Sequence, residues 1–300
     1  MIRSKGEKIF DCLNVIFIGF ISIITIFPFW NVIMTSFVNS HEYYTRTFIL
    51  WPREFNLSAY YYIFSTRWIA SGFKVSIIVT VFGTIYNMFL IVTASYGLSK
   101  KTLPGRNILI TYFIITMYFS GGLIPYYLVV TKYLKLTDNL LSLIITGGLS
   151  VYYFMILKTF FNQLPASLAE SATIDGANEF VILFRIILPL SMPAIATLIL
   201  FNAVAFWNEW QKALYFIVDD YKYPLQMILR KMVLDPKSAT AMRSQMNTAY
   251  QNLMGGSDVT LFDEAIQAAT VTVVTVPIIL IYPFLQKHFA KGVMIGSIKG

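Results

Sequence analysis

The chain has 300 residues, 57% of them hydrophobic and only 13% charged, with a mean hydropathy of +0.65 and a net charge of +8. Soluble domains carry about 25% charge, so this composition excludes one large soluble core and makes lipid the solvent for much of the chain. A single cysteine, Cys12, excludes an intramolecular disulfide framework and a cysteine-based zinc cluster, and two histidines distant in sequence, His41 and His288, give no metal site. The basic residues are scattered between apolar runs, which reads as membrane-flanking charge and not as a nucleic-acid patch.

A membrane-crossing helix needs about 20 predominantly apolar residues. The first run, about 13–38, follows a basic start with Arg3, Lys5 and Lys8. It is too long for a signal-peptide core and has no small-residue cleavage site behind it, so it reads as a retained span. The stretch after it, about 39–70, is rich in aromatics, and its Tyr and Trp favour the headgroup layer or form a docking surface; a second outer stretch, about 212–266, is polar and carries most of the acidic residues. Further apolar runs occupy about 72–98, 107–130, 140–160, 191–211 and 267–286. The predicted fold is therefore an all-α integral membrane protein with six transmembrane helices.

Prolines inside these runs, such as Pro28, Pro125, Pro193 and Pro277, imply kinks and not interruptions. The pairs Gly121-Gly122 and Gly147-Gly148 lack phosphate-loop spacing and read as places of close helix packing. Six spans put both termini on one side. Two short basic clusters, the one before the first span and Lys100, Lys101 and Arg106 between spans two and three, make that side the cytoplasm.

Between spans four and five runs a segment, 161–190, of different character. Pro165 suits the start of a helix, and small residues Ala166, Ala169, Ser171 and Ala172 follow along it. Gly176 suits a left-handed helix end, and Asp175 is the candidate N-cap of a second helix beginning near Ala177. The prediction is a compact helix–turn–helix on the cytoplasmic face, stopped by Pro189 before span five. No Gly-x-x-x-x-Gly-Lys phosphate loop occurs in the sequence, so the chain is not expected to hydrolyse ATP by the usual P-loop.

This segment, Glu170-Ser171-Ala172, then three residues to Gly176, then on to Ile186-Ile187-Leu188-Pro189, resembles the EAA motif of binding-protein-dependent ABC importer permeases of the maltose-type carbohydrate branch. Ser171 stands where the family has its first alanine. The second cytoplasmic loop (Leu98 to Arg106), the Phe206-Trp-Asn-Glu-Trp210 element and the Lys-Gly…Gly-x-x-Lys-Gly ending resemble the same family, so the resemblance covers 1–300 as a single transmembrane domain.

The resemblance implies a coupling helix seated in a separate ATPase subunit, with Glu170, Ser171, Ala172, Asp175, Gly176 and Ala177 at the contact. It implies a tail at Lys291, Gly292, Gly296 and Lys299 reaching toward the ATPases, and a scoop loop at Asn252, Leu253, Met254, Gly255 and Gly256 that enters a binding protein. Partners implied are a second homologous permease, two copies of an ATPase, an extracytoplasmic solute-binding protein and membrane lipid. ATP and magnesium are held by the ATPases, so this chain is expected to bind no cofactor and to catalyse nothing.

Polar groups at membrane depth are costly and mark function or interhelical bonding. Asn87, Thr93, Ser120 and Asn202 are of this kind, and Tyr118, Phe206, Trp207, Asn208 and Glu209 form the candidate path for a sugar. A secondary transporter driven by an ion gradient is the alternative, but it calls for buried acids that these spans lack apart from Glu209.

Overall fold

The computed structural model describes residues 5–65, 67–234, 244 and 262–296. All regular structure among these residues is helical. Among the described residues three helices are long and apolar enough to cross a membrane, over Gly6–Thr35, Arg67–Ser99 and Asp263–Leu280. Two sharply bent pairs, Arg106–Tyr118 with Leu123–Tyr133 (111°) and Glu179–Leu190 with Met192–Trp207 (84°), raise the number of possible spans to five.

The chain divides into two compact units, one of 1–67 with 231–276 and the other of 68–230 with 277–300. In the first, α1 (Lys5–Thr35) carries almost no charge beyond its first turns, and its apolar window is wholly exposed. Lipid is as apolar as these side chains, so such a helix gains nothing by folding inward. Ser22 and Thr25 return their hydroxyls to the carbonyls of Ile18 and Ile21, which hides the two polar groups.

After α1 come α2 (Ser40–Thr45) and α3 (Ser58–Phe64). Glu42, only 6% exposed, holds this stretch together. Its carboxylate accepts from the Arg46 guanidinium at 2.6 Å and from the Arg53 amide at 3.1 Å. Phe37 stacks on Tyr60 at 5.1 Å while the Ser36 and Tyr60 hydroxyls lie 2.7 Å apart. Thus several of the aromatic residues that looked like a headgroup belt also build the local core, although Tyr44, Trp51 and Tyr61 stay exposed.

In the second unit the central element is α4 (Arg67–Ser99). Its buried residues Val75, Val79, Gly83, Asn87, Ile91 and Ser95 recur every fourth position, so they follow one stripe that winds slowly round the helix along its length. This buried face meets α8 (Val151–Gln163) and α12 (Met192–Trp207) in a core of Met88, Ile91, Leu157, Phe161, Ile195 and Leu198. Some polar groups of this face are satisfied across it, while Thr84 Oγ1 and Asn87 Oδ1 have no hydrogen-bond partner among the described residues. Ser95 donates to the Phe154 carbonyl at 3.0 Å and Asn87 to the Gly148 carbonyl at 2.5 Å.

Apolar run three becomes α5 (Arg106–Tyr118) and α6 (Leu123–Leu128), and run four becomes α7 (Leu141–Ile144) and α8. The glycine pairs explain both breaks. Gly122 (φ 84°) and Gly148 (φ 54°) are left-handed and have open space where a Cβ would stand. They turn the chain instead of letting helices approach closely, contrary to the packing role read from the sequence. Close approach is made by two other glycines, Gly72 and Gly83 of α4.

Candidate functional site

The segment after α8 folds as a helical hairpin. Pro165, one residue outside the helix, leads into α9 (Ala166–Ile174). Gly176 has φ 81°, its amide donates to the Thr173 carbonyl at 3.0 Å, and the Ala177 amide reaches the Ala172 carbonyl at 2.9 Å. These paired bonds close a helix end of the Schellman type. The second helix, α10 (Glu179–Ile182), is capped by Asn178, whose side chain accepts from the Val181 amide at 2.9 Å.

The cap therefore lies three residues beyond Asp175. An N-cap needs extended backbone. Asn178 has it (φ −79°, ψ 166°), whereas Asp175 (φ −74°, ψ 5°) still belongs to the end of α9. From Leu183 the chain passes through a π turn and α11 (Leu188–Leu190), then bends into α12 at Ser191.

The small residues of α9 do not all face the same way. Ala169, Ala172 and Ala177 are half-buried against Leu157, Phe161 and Ile182, while Glu170, Ser171 and Asp175 are exposed. With the alanines turned inward, the outward surface carries apolar residues that the motif reading missed, namely Ile174 (86% exposed) and Phe180 (74%). The signal was available in the spacing. Ile174 lies four positions after Glu170, on the helix face opposite the alanine pair 169 and 172.

Glu179 ties the hairpin to the end of α4 and the loop that follows it. Its carboxylate accepts from the Tyr96 hydroxyl and pairs with Lys100 at 2.9 Å, and the Lys100 ammonium lies 4.8 Å from the centre of the Tyr96 ring. The hydrogen bonds from Tyr96 and then Lys100 hold the Glu179 carboxyl below its ordinary range. Burial lowers the Lys100 ammonium, but the bonds to Glu179 and Tyr96 outweigh it and raise it above the usual lysine value. The pair thus persists from below the usual carboxylate range to above the usual lysine range.

Because the Glu179 side chain is 62% exposed, the link is worth at most about 1 kcal/mol. Lys100→Glu is accordingly expected to lower solute uptake by no more than about fivefold, and adding Glu179→Lys to restore most of it. Initial uptake rates of the two single variants and the double variant check this, and an unrecovered double variant contradicts the link.

At the far end of α12, Phe206 and Trp207 are buried. The Phe206 ring covers Gly83 of α4, where an added Cβ would lie 2.6 Å from its ring atoms. Asn208 is exposed, and its side-chain oxygen accepts from Gln226 at 3.0 Å. The Glu209 carboxylate takes the Lys212 amide at 2.9 Å and the Lys212 ammonium at 3.2 Å. The Trp210 ring lies under the Arg230 guanidinium at 4.2 Å. Phe206 through Glu209 are thus contiguous with Gln226 and Arg230 of α14 (Leu225–Leu234), neither of which the sequence reading singled out.

Tyr118, at the end of α5, is 74% exposed, and among the described residues no hydrogen bond or ring contact joins it to that cluster. Thr93 and Asn202 bond carbonyls of their own helices, at Phe89 and Leu198. Lys291, Gly292 and Gly296 fall in the last helix, α15 (Asp263–Gly296). Lys299 and the loop residues Asn252, Leu253, Met254, Gly255 and Gly256 lie outside the described residues. Among the described residues no cluster of His, Cys, Asp and Glu could hold a metal.

No protein-family model matches the sequence. The chain is 43% identical to the polygalacturonan/rhamnogalacturonan transport system permease YtcP of Bacillus subtilis, over 98% of this chain and 99% of that protein. It is 42% identical to protein LplC of the same organism, over 100% of this chain and 98% of that one. In structure it is similar to a chain of a bacterial ABC transporter involved in the import of the acidic polysaccharide alginate. The TM-score is 0.84 and the identity 26%, covering 96% of this chain and 99% of the other.

All-helical among the described residues, with long apolar helices and this hairpin between its later helices, the chain has the architecture of a membrane-transport subunit. The chain belongs to the permeases of binding-protein-dependent ABC importers, in their carbohydrate branch. As a permease it is not an enzyme, and ATP hydrolysis belongs to a separate subunit.

Proposed function

We propose that the chain spans the bacterial inner membrane six times with both termini in the cytoplasm, and that with a second permease it lines the path of an acidic oligosaccharide. Two copies of an ATPase subunit hold ATP and magnesium, this chain binds no cofactor, and an extracytoplasmic binding protein delivers the solute. Two relatives support the choice of solute, one handling polygalacturonan and rhamnogalacturonan and one the acidic polysaccharide alginate.

The observation that carries the mechanism is the hairpin of α9 and α10. Its outward face offers Ile174 and Phe180 to an apolar cleft of the ATPase, with Glu170 and Ser171 beside them. Its inward face is tied to the core through Ala169 and Ala172 and to α4 through Glu179. Closure of the ATPases moves the hairpin as a body, and the attached helices shift the path between inward- and outward-open arrangements, whose balance nucleotide sets. In this account the aromatic wall at Phe206 and Trp207 and the amide of Asn208 serve the solute, the tail at 291–299 reaches the ATPases, and the loop at 252–256 reaches the binding protein.

Affinity purification of the tagged chain from its host tests the assembly. An ATPase and a second permease are expected in stoichiometric amounts. Purification of the intact chain without an ATPase contradicts the reading.

A further inference from the structure

Arg230 lies beside the end of α12 with no ion-pair partner among the described residues. It is half-buried, its guanidinium lies on the Trp210 ring, and no carboxylate among the described residues is within ion-pair distance. Glu209, the nearest acid in sequence to Trp210, is occupied by the Lys212 amide and ammonium. A guanidinium stacked on an aromatic ring keeps its in-plane N–H groups free for a planar anion, and the ring contact fixes its orientation beforehand.

The surroundings are those of a sugar-acid subsite. One turn before Arg230 on α14, Gln226 donates to Asn208, so two amides lie on the same side of the cluster as the guanidinium. The elements that carry these groups are fixed from below. The Leu225 amide donates to Ser76 of α4 at 2.9 Å, and Gly72 lets Ile228 approach so closely that an added Cβ would stand 2.5 Å from its terminal methyl group. The geometry points to a subsite formed by Arg230, Trp210, Asn208 and Gln226 that takes one carboxylate-bearing sugar ring of the solute. The guanidinium receives the carboxylate in a bidentate pair, the exposed part of the indole meets the C–H face of the ring, and the amides meet hydroxyls.

This subsite rests on the reading of the chain as part of an acidic-oligosaccharide path. Its test uses the complete importer, both permeases with ATPases and binding protein, reconstituted in liposomes with labelled trigalacturonate. Arg230→Gln is expected to lower the solute moved per ATP hydrolysed by at least tenfold, the loss typical of a charge-assisted pair. Assembly and binding-protein-stimulated hydrolysis stay as in the wild type. Arg230→Lys, which keeps the charge but not the fork, recovers part of the loss.

Two results overturn the subsite alone, an unchanged ratio in Arg230→Gln or an equal fall in hydrolysis and transport, which would make Arg230 a structural clip between α14 and Trp210. A wild-type importer that assembles and hydrolyses ATP but moves no trigalacturonate overturns the acidic-solute reading and the subsite with it, while leaving the importer itself intact.

Discussion

Gly176→Val is expected to abolish uptake and to release the proposed ATPase partner, while the chain still inserts in the membrane. At φ 81° an L-residue costs about 1–2 kcal/mol, and a β-branched side chain is a genuine outlier there. Nothing lies within 4 Å of the position a Cβ would take, so the cause is the backbone and not a clash. Forced out of the left-handed region, residue 176 cannot make the Thr173 bond or leave Ala177 its bond to Ala172. The turn then opens, and α9, which carries the exposed Ile174, loses its fixed placement against α10, which carries the exposed Phe180. The order of effect follows the same physics. Gly176→Asn is tolerated best, Gly176→Ala loses about five- to thirtyfold in the population of the closed turn, and Gly176→Val loses most. Copurified ATPase per permease, measured across the three variants, reads this order directly, and a series ranked by side-chain volume alone contradicts it.

Gly83→Leu has the second large effect, through a different mechanism. The position is inside α4, where helix propensity favours replacement of glycine by about 1 kcal/mol. Against that gain stands the Phe206 ring, three of whose atoms lie 2.6–2.8 Å from where the Cβ would be. A ring clasped between two helices cannot bend away as a flexible chain end does, so α4 and α12 must separate. Overpacking of this kind costs about 1–3 kcal/mol. The purified importer is expected to melt several degrees lower, and Phe206→Ala in the same chain to restore part of the loss. Gly97 is the internal control. It lies in the same helix with no atom within 4 Å of its Cβ position, so Gly97→Ala leaves the melting temperature unchanged or raises it. Equal destabilisation at Gly83 and Gly97 removes the proposed α4–α12 contact.

The sequence made some of this legible and hid the rest, for reasons visible in particular residues. The apolar runs at 13–38 and 72–98 reappear as α1 and α4, because uninterrupted apolar length is a strong signal. The runs at 107–130 and 140–160 were read as unbroken because hydropathy is blind to φ, and only the left-handed Gly122 and Gly148 reveal the turns. The hairpin was legible from Pro165, Gly176 and the small residues between them. Its facing was not, since alanine suits both a helix–helix seam and a docking surface. Its second cap fell to Asn178 because the Schellman turn takes up Asp175, Gly176 and Ala177. Arg230 was invisible for another reason. Trp210 and Arg230 are far apart in sequence, and only the folding of α14 against Gly72 brings them together.

The side of the membrane on which the α9–α10 hairpin lies tests the central claim most directly. With Cys12→Ser removing the single native thiol, Ser171→Cys puts one reporter on the exposed face of α9. A membrane-impermeant maleimide is expected to label it in inside-out vesicles stripped of peripheral ATPase and to leave it untouched in intact cells whose outer layers have been removed. Labelling from outside those cells would separate the hairpin from any cytoplasmic ATPase and contradict the account.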